Sequence, residues 1–276
     1  MPLGLSLSFG GSTQSSSQAV QGNRAPSFTN SKSLSFDGTN DFAKWASNTT
    51  IPGLMGAGDW TWSWWVKSSD FSQAGSGFYS TLFYALNFFG AGVSTFIIGA
   101  IGENSHSASA GKLTCLSTRG TGSGSTFFSW TSDSSVIGSL TDDDWNHIVI
   151  TCDTGSTRVI KAYINGSEVA GTNVTSNQSG TDFSSIDMGN IALGTQTFNA
   201  GGDGFDAIET DEISLYNSVL SSSNVTDIYN SGVPVDETDR SGLIGYWRLE
   251  DNGDDSSSNN NALTISGATF TTDVPS

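Results

Sequence analysis

Trp60-Thr-Trp-Ser-Trp-Trp-Val-Lys67 is the stretch that decides the fold. Its first five residues alternate aromatic and small polar side chains, the period of a β-strand. Trp65 and Val66 then place large apolar groups on both faces, so the reading is a central strand covered on both sides. A second strong signal lies at Trp145–Asn165. Trp145 to Cys152 is β-branched and apolar, Asp153 to Thr157 is a turn, and Arg158 to Ile164 returns. Asn165-Gly166 follows, the dipeptide best suited to a type I′ turn because both residues tolerate positive φ. Glu168 to Ala170 is the next strand.

Outward from these two, further strands are expected at Leu34–Phe36, Phe96–Ile101, Lys112–Ser117, Thr126–Trp130, Leu243–Leu249 and Ala262–Ile265. Turns rich in Gly and Ser separate them. One helix is expected. Ser221 or Ser222 caps it, Val225, Ile228 and Tyr229 form an i, i+3, i+4 stripe, and Gly232 ends it. Many short strands with a single helix make an all-β, two-sheet antiparallel sandwich. The 276 residues suffice for one large sandwich core.

The chain carries 10 basic and 27 acidic residues, a formal charge of −17. Such a surface repels phosphates and anionic lipids, so neither nucleic acid nor membrane insertion is expected. No apolar run reaches the length of a membrane-spanning helix. Cys115 and Cys152 are too few for a disulfide framework and read as buried free thiols. Met1 to Phe9 lacks a basic start and a cleavage site, so folding in a cytoplasm is expected. Five Asn-x-Ser/Thr triplets, at Asn48, Asn165, Asn173, Asn177 and Asn224, are what chance gives in so Ser/Thr-rich a chain.

Residues 1–32 read differently from the rest. Met1 to Phe9 alternates apolar and polar residues, and Gly10 to Asn23 is a Gly, Ser and Gln run with no core-forming content. The organisation is therefore an extended N-terminal arm over 1–32, suited to anchoring on a neighbouring subunit, and one domain over 33–276, with 242–276 a C-terminal tail adding strands to it.

Five blocks carry a resemblance to a known family. Leu34 to Phe42 resembles the opening strand of laminin-G-like jelly rolls, and Trp60 to Lys67 their second strand. Trp145 to Thr151 with Tyr163-Ile-Asn-Gly166 resembles the family hairpin. Phe205-Asp-Ala and Asp211-Glu-Ile-Ser-Leu-Tyr-Asn217, followed by the short helix, resemble its closing strand. The blocks run in family order from about Ser33 to Gly232. The resemblance implies a laminin-G/concanavalin A-like jelly roll with one short helix. Ala207 stands where the family often has Gly, and Phe205 to Asp211 is one residue longer than usual, as a β-bulge makes it. Gly242 to Glu250, Asp254 to Asn260 and Phe270 to Pro275 are similar to segments of tailed-phage structural proteins.

Members of this fold include glycoside hydrolases. Retaining members resembling this sheet place two carboxylates on one strand as E-x-D-x-E, with carboxyl groups about 5 Å apart. Here Glu209-Thr-Asp211 starts that pattern, but Ile213 occupies the second Glu position. Glu212 is excluded as a substitute because neighbouring strand residues point to opposite faces. No catalytic residue is assigned. The family resemblance also implies a structural calcium, with a carbonyl from Gly38, a side chain from Asn40 or Asp41, and Asp211 as ligands; the acidic group also includes Asp203, Asp206, Glu209 and Glu212. The alternative is that Asp211 and Glu212 only pin a turn by hydrogen bonds.

Trp60, Trp62, Trp64, Trp65, Trp145 and Trp247 fall in strands and read as core. Trp45 and Trp130, with Phe88 and Phe89, are less constrained, and no sugar site is assigned from them. His106 and His147 have no partner at metal or triad spacing and read as structural or solvated. Asp142, Asp143 and Asp144 read as a solvated turn. The expectation is a non-enzymatic virion surface protein of a tailed phage, displayed in many copies after assembly in the host cytoplasm. A capsid decoration or head fibre, held to other virion proteins through the arm and carrying a lectin-like jelly roll, comes first. A tail-fibre adhesin binding host glycans is second, and a polysaccharide-active hydrolase third.

Overall fold

The computed structural model describes residues 28–45, 58–71, 80–81, 84–89, 92–101, 111–119, 126–155, 158–175, 191–194 and 207–276. Strands run at Ser33–Ser35 (β1), Phe42–Trp45 (β2), Trp60–Lys67 (β3), Ser80–Thr81 (β4), Tyr84–Phe89 (β5), Gly92–Ile101 (β6), Leu113–Arg119 (β7), Thr126–Ser132 (β8) and Asn146–Asp153 (β9). They continue at Val159–Ile164 (β10), Ser167–Val169 (β11), Gly171–Thr175 (β12), Ile191–Leu193 (β13) and Glu209–Tyr216 (β14). A helix at Ser222–Tyr229 (α1) precedes Leu243–Trp247 (β15), Leu263–Ser266 (β16) and Thr269–Thr271 (β17). One antiparallel sheet is ordered β11-β10-β9-β3-β14-β1-β17, with β15 also on β14; the other is ordered β12-β8-β7-β6-β5-β13-β2-β16, with β4 on β6. This is the two-sheet sandwich that the alternation of residues 60–64 implies. The Gly10–Asn23 run, Phe205, Asp203, Asp206 and His106 lie outside the described residues, as do the side chains of Phe88 and Phe89.

β3 is the keystone, buried over Trp60–Val66. Trp60, Trp62, Trp64 and Val66 point between the sheets, and Trp65 points outward. Trp62 lies 5.8 Å edge-to-face from Trp45 of the other sheet, and Trp247 lies 5.0 Å from Trp45 and 6.2 Å stacked on Trp62. Each such ring buries roughly 150–250 Å², so this trio contributes strongly to joining the layers. Trp45 and Trp130, unassigned from sequence, are both core residues, 1% exposed. Trp130 owes its place to Gly171, where a Cβ would fall 2.2 Å from the indole.

Trp145 departs from its expected place in the core. The strand starts at Asn146, and Trp145 is partly exposed at its mouth. Cys115 and Cys152 are buried free thiols, as expected. Asn165 and Gly166 form the hairpin turn with φ of 49° and 75°.

The outer face of the β3 sheet is covered too. α1 lays Val225 and Ile228 over Val149, Tyr163 and Tyr216. Ser221 caps it by accepting a hydrogen bond from the Asn224 amide. Asn230, in the left-handed conformation, ends the helix two residues before the expected Gly232.

Candidate functional site

β14 pairs with β3 along one edge; along the other it meets β1 first and β15 after. The N-terminal and C-terminal segments therefore dock end to end on the same strand. The junction falls where the register on β3 slips: Asp211 faces Trp65, Ser214 faces Ser63, and two residues, Glu212 and Ile213, stand opposite Trp64 alone. Glu212 has φ of 45°, the left-handed conformation of a bulge residue.

The bulge overturns one expectation. Alternation excluded Glu212 as a substitute for the carboxylate missing at Ile213, but the extra residue resets the alternation there. Asp211 and Glu212 both lie on the outer face, and Ile213 and Leu215 turn inward. The bulge expected within Phe205 to Asp211 falls partly outside the described residues; the one seen here follows Asp211.

The Asp211 carboxylate accepts hydrogen bonds from Asn30 Nδ2 at 2.8 Å and from the Glu212 amide at 2.9 Å. Glu212 accepts from the Tyr246 hydroxyl and lies 3.5 Å from Arg248 Nε. Arg248 also donates to the Thr29 carbonyl, and Glu250 accepts from the Ser31 amide at 2.7 Å and from its hydroxyl. Below them Glu237 accepts from Ser214 and from the Tyr216 hydroxyl. Residues 29–31, the bulge and the tail are thus one polar seam.

Burial sets the electrostatics. It pushes Asp211 well above its ordinary value, and the adjacent Glu212 charge adds to this against the Asn30 bond. Burial likewise pushes Glu212 up to about 8 and Glu237 up to about 7, against the hydrogen bonds from tyrosine. A buried carboxyl without full compensation keeps its proton.

The residues singled out for calcium take separate places. Gly38 has φ of 73°, and its absent Cβ would sit 3.0 Å from the Ala207 amide nitrogen, so the opening turn packs directly on the approach to β14. Asn40 is exposed. Asp41 is buried and accepts from the Asp37 amide at 3.0 Å. Asp211 lies in the seam, where Asn30 Oδ1 is buried with no hydrogen-bond partner. That orphaned oxygen beside a carboxylate suits an oxygen-seeking cation. Among the described residues, no group of three or more His, Cys, Asp or Glu is arranged to hold a metal ion.

His147 is structural, one of the two alternatives its sequence left. Its Nε2 lies 2.8 Å from Ser63 Oγ, and its ring forms a three-way cluster with Trp65 at 4.8 Å and Tyr229 at 6.0 Å, themselves 5.9 Å apart. Burial pushes it down to about 3, so it stays neutral.

What fold and seam define is a closed-core sandwich whose β14 carboxylates are buried on the outer face of one sheet. The family model described as the concanavalin A-like lectin/glucanases superfamily matches residues 37–226. The chain belongs to that superfamily. Among solved structures, a carbohydrate-binding protein from Bacteroides ovatus, so described with reserve in its own name, is similar at 14% identity with a TM-score of 0.54. That match covers 90% of this chain and 62% of the other, so the chain spans under two thirds of that protein's length. A heptameric SAP-like pentraxin from Limulus polyphemus is similar at 10% identity, covering 86% of this chain and 94% of the other, with a TM-score of 0.38. No curated protein matches the sequence.

Sequence reasoning missed the seam because its parts lie up to 219 residues apart. The local signal was Asp211-Glu212 itself, two adjacent acids in a strand otherwise destined for burial.

Proposed function

We propose that this chain is a non-enzymatic, glycan-binding surface module of a tailed-phage particle. The observation that carries the non-catalytic part is the seam. Asp211 and Glu212 are at most 1% exposed, closed in by residues 29–31 on one side and Tyr246 and Arg248 on the other. A carboxylate pair that serves as acid and nucleophile has to meet substrate, and this pair meets only protein. The lectin part is supported by superfamily membership. The virion part is supported by the likeness of segments of 242–276 to tailed-phage structural proteins, and within this proposal the N-terminal arm binds neighbouring virion proteins. Capsid decoration or a head fibre is the first location, and a tail-fibre adhesin the second. Many weak copies on one particle then bind with high effective concentration.

The test is a glycan array probed with the whole chain, with calcium and with chelator, alongside reducing-sugar release from the bound glycans. Binding without release supports the proposal. Release of reducing ends, or no binding to any glycan, overturns it. Immunogold labelling of intact particles places it on head or tail, and unlabelled particles refute the virion role.

A further inference from the structure

All eight tryptophans of the chain lie among the described residues, and seven of them are at most 2% exposed. Trp145 is the exception, partly exposed at the mouth of β9 after the exposed turn Asp142-Asp143-Asp144. A tryptophan left partly at the surface by a chain that buries its other seven calls for a physical reason.

The ring is held rigidly. Its indole N–H donates to Asp273 Oδ1 at 2.9 Å, and its backbone amide to Asp144 Oδ1 at 2.9 Å. Asp273 is itself fixed on every side. Lys67 donates to its Oδ2 at 2.5 Å, its carbonyl accepts from Ser33 Oγ at 2.6 Å, and its amide donates to Thr271 Oγ1 at 3.2 Å. Three distant segments, β3, the mouth of β9 and the C-terminal tail, thus meet to immobilise one aromatic face. Such preorganisation lowers the entropy lost when a ligand settles on it.

We propose that Trp145, Asp273 and Lys67 form a subsite for one neutral pyranose ring, an inference that rests on the glycan-binding reading above. A pyranose offers an apolar C–H face and an edge of hydroxyls. The face packs on the indole. An ionised carboxylate has about four lone-pair positions, of which Trp145 and Lys67 use two, leaving Asp273 free to accept from sugar hydroxyls. The Lys67 ammonium has three donors and gives one to Asp273, so it donates to a ring or hydroxyl oxygen. The side chains of Lys67 and Asp273 are 20% and 42% exposed, within reach of solvent and ligand. Burial alone would raise Asp273, but the bonds from Lys67 and Trp145 outweigh it and hold the carboxyl below its ordinary value. The acceptor is therefore present throughout the neutral range. Neutral sugars are specified because the exposed acidic turn Asp142-Asp143-Asp144 immediately precedes Trp145 and the chain carries −17 overall. Sulfate, uronate and sialate groups meet repulsion there.

The experiment prints neutral, uronic, sulfated and sialylated oligosaccharides on one array and probes it with the full chain and with Trp145→Ala and Trp145→Phe. Melting temperatures confirm that both variants fold. The expected result is binding to neutral oligosaccharides, weakened about tenfold or more by Trp145→Ala, with Trp145→Phe between. The best neutral oligosaccharide also protects Trp145 from acrylamide quenching in the parent chain, a readout that survives if the alanine variant fails to fold. Neutral binding left unchanged by both variants, with no protection of Trp145, overturns the subsite and leaves the glycan-binding reading intact. Preference for charged sugars overturns the ligand class. No binding to any sugar overturns both readings together.

Discussion

The two faces of β14 are built on opposite rules. Its inner face is dry: Ile213 and Leu215 pack with Trp62, Trp64 and Trp247, and shape alone decides the fit. Its outer face carries Asp211, Glu212, Ser214 and Tyr216, all at most 1% exposed, each with a named polar partner. A dry face tolerates nothing polar but accepts apolar substitutions that keep its volume. A buried polar face admits one arrangement, because each unpaired group costs about 1–3 kcal/mol. The inner face therefore supplies most of the cohesion, and the outer face fixes where the terminal segments dock.

The comparison breaks most visibly on the inner face. Trp62→Ala removes the ring that bridges Trp45 and Trp247, and a cost of about 3–5 kcal/mol is expected. Denaturant melts check this; a loss no larger than that of an exposed alanine substitution contradicts the dry-core account. Gly171→Ala tests the same face from the edge. Its new Cβ falls 2.2 Å from Trp130, and displacing the indole should cost about 1–3 kcal/mol.

The outer face is sharpened by pH. Burial raises Glu237 from 4.5 to about 7 in the folded chain. Between those values the unfolded chain is ionised and the folded chain holds its proton, so Glu237's contribution falls as pH rises from about 4.5 to about 7 and is flat above. The loss is on the order of 1–3 kcal/mol, and Glu237→Gln should flatten that slope in melts taken from pH 4 to 8. A slope identical in both chains removes Glu237 from the account. The smallest effect belongs to α1. Ser221→Ala deletes its cap at a cost of about 1 kcal/mol, read as a modest fall in melting temperature without change of fold.

The difference between the faces also explains what the sequence could tell. The inner face was legible because dry packing leaves a local signature: period two at Trp60–Trp64, β-branched residues at Ile148–Thr151, Asn-Gly at the turn. The helix was legible through Ser221 and its stripe, although Asn230 rather than Gly232 ended it. The outer face left no periodic trace. Nothing near Asp211 in sequence announces Asn30, Tyr246 or Arg248, and the one-residue bulge at Glu212 reverses the very alternation used to assign faces. Trp145 was misplaced for a related reason. Residue type and a strand-like context both argued for the core, and only the position of Asp273, 128 residues away, holds its indole at the surface.

The claim on which everything rests is that the fold buries seven tryptophans, six between the sheets and Trp65 on the outer face, and leaves one partly outside. Acrylamide quenching of the native chain measures this directly. The account predicts a single minor accessible class of tryptophan emission, abolished by Trp145→Phe, with the remaining emission protected until the chain unfolds. Quenching of most of the emission in the native state, or an accessible class that survives Trp145→Phe, would contradict it.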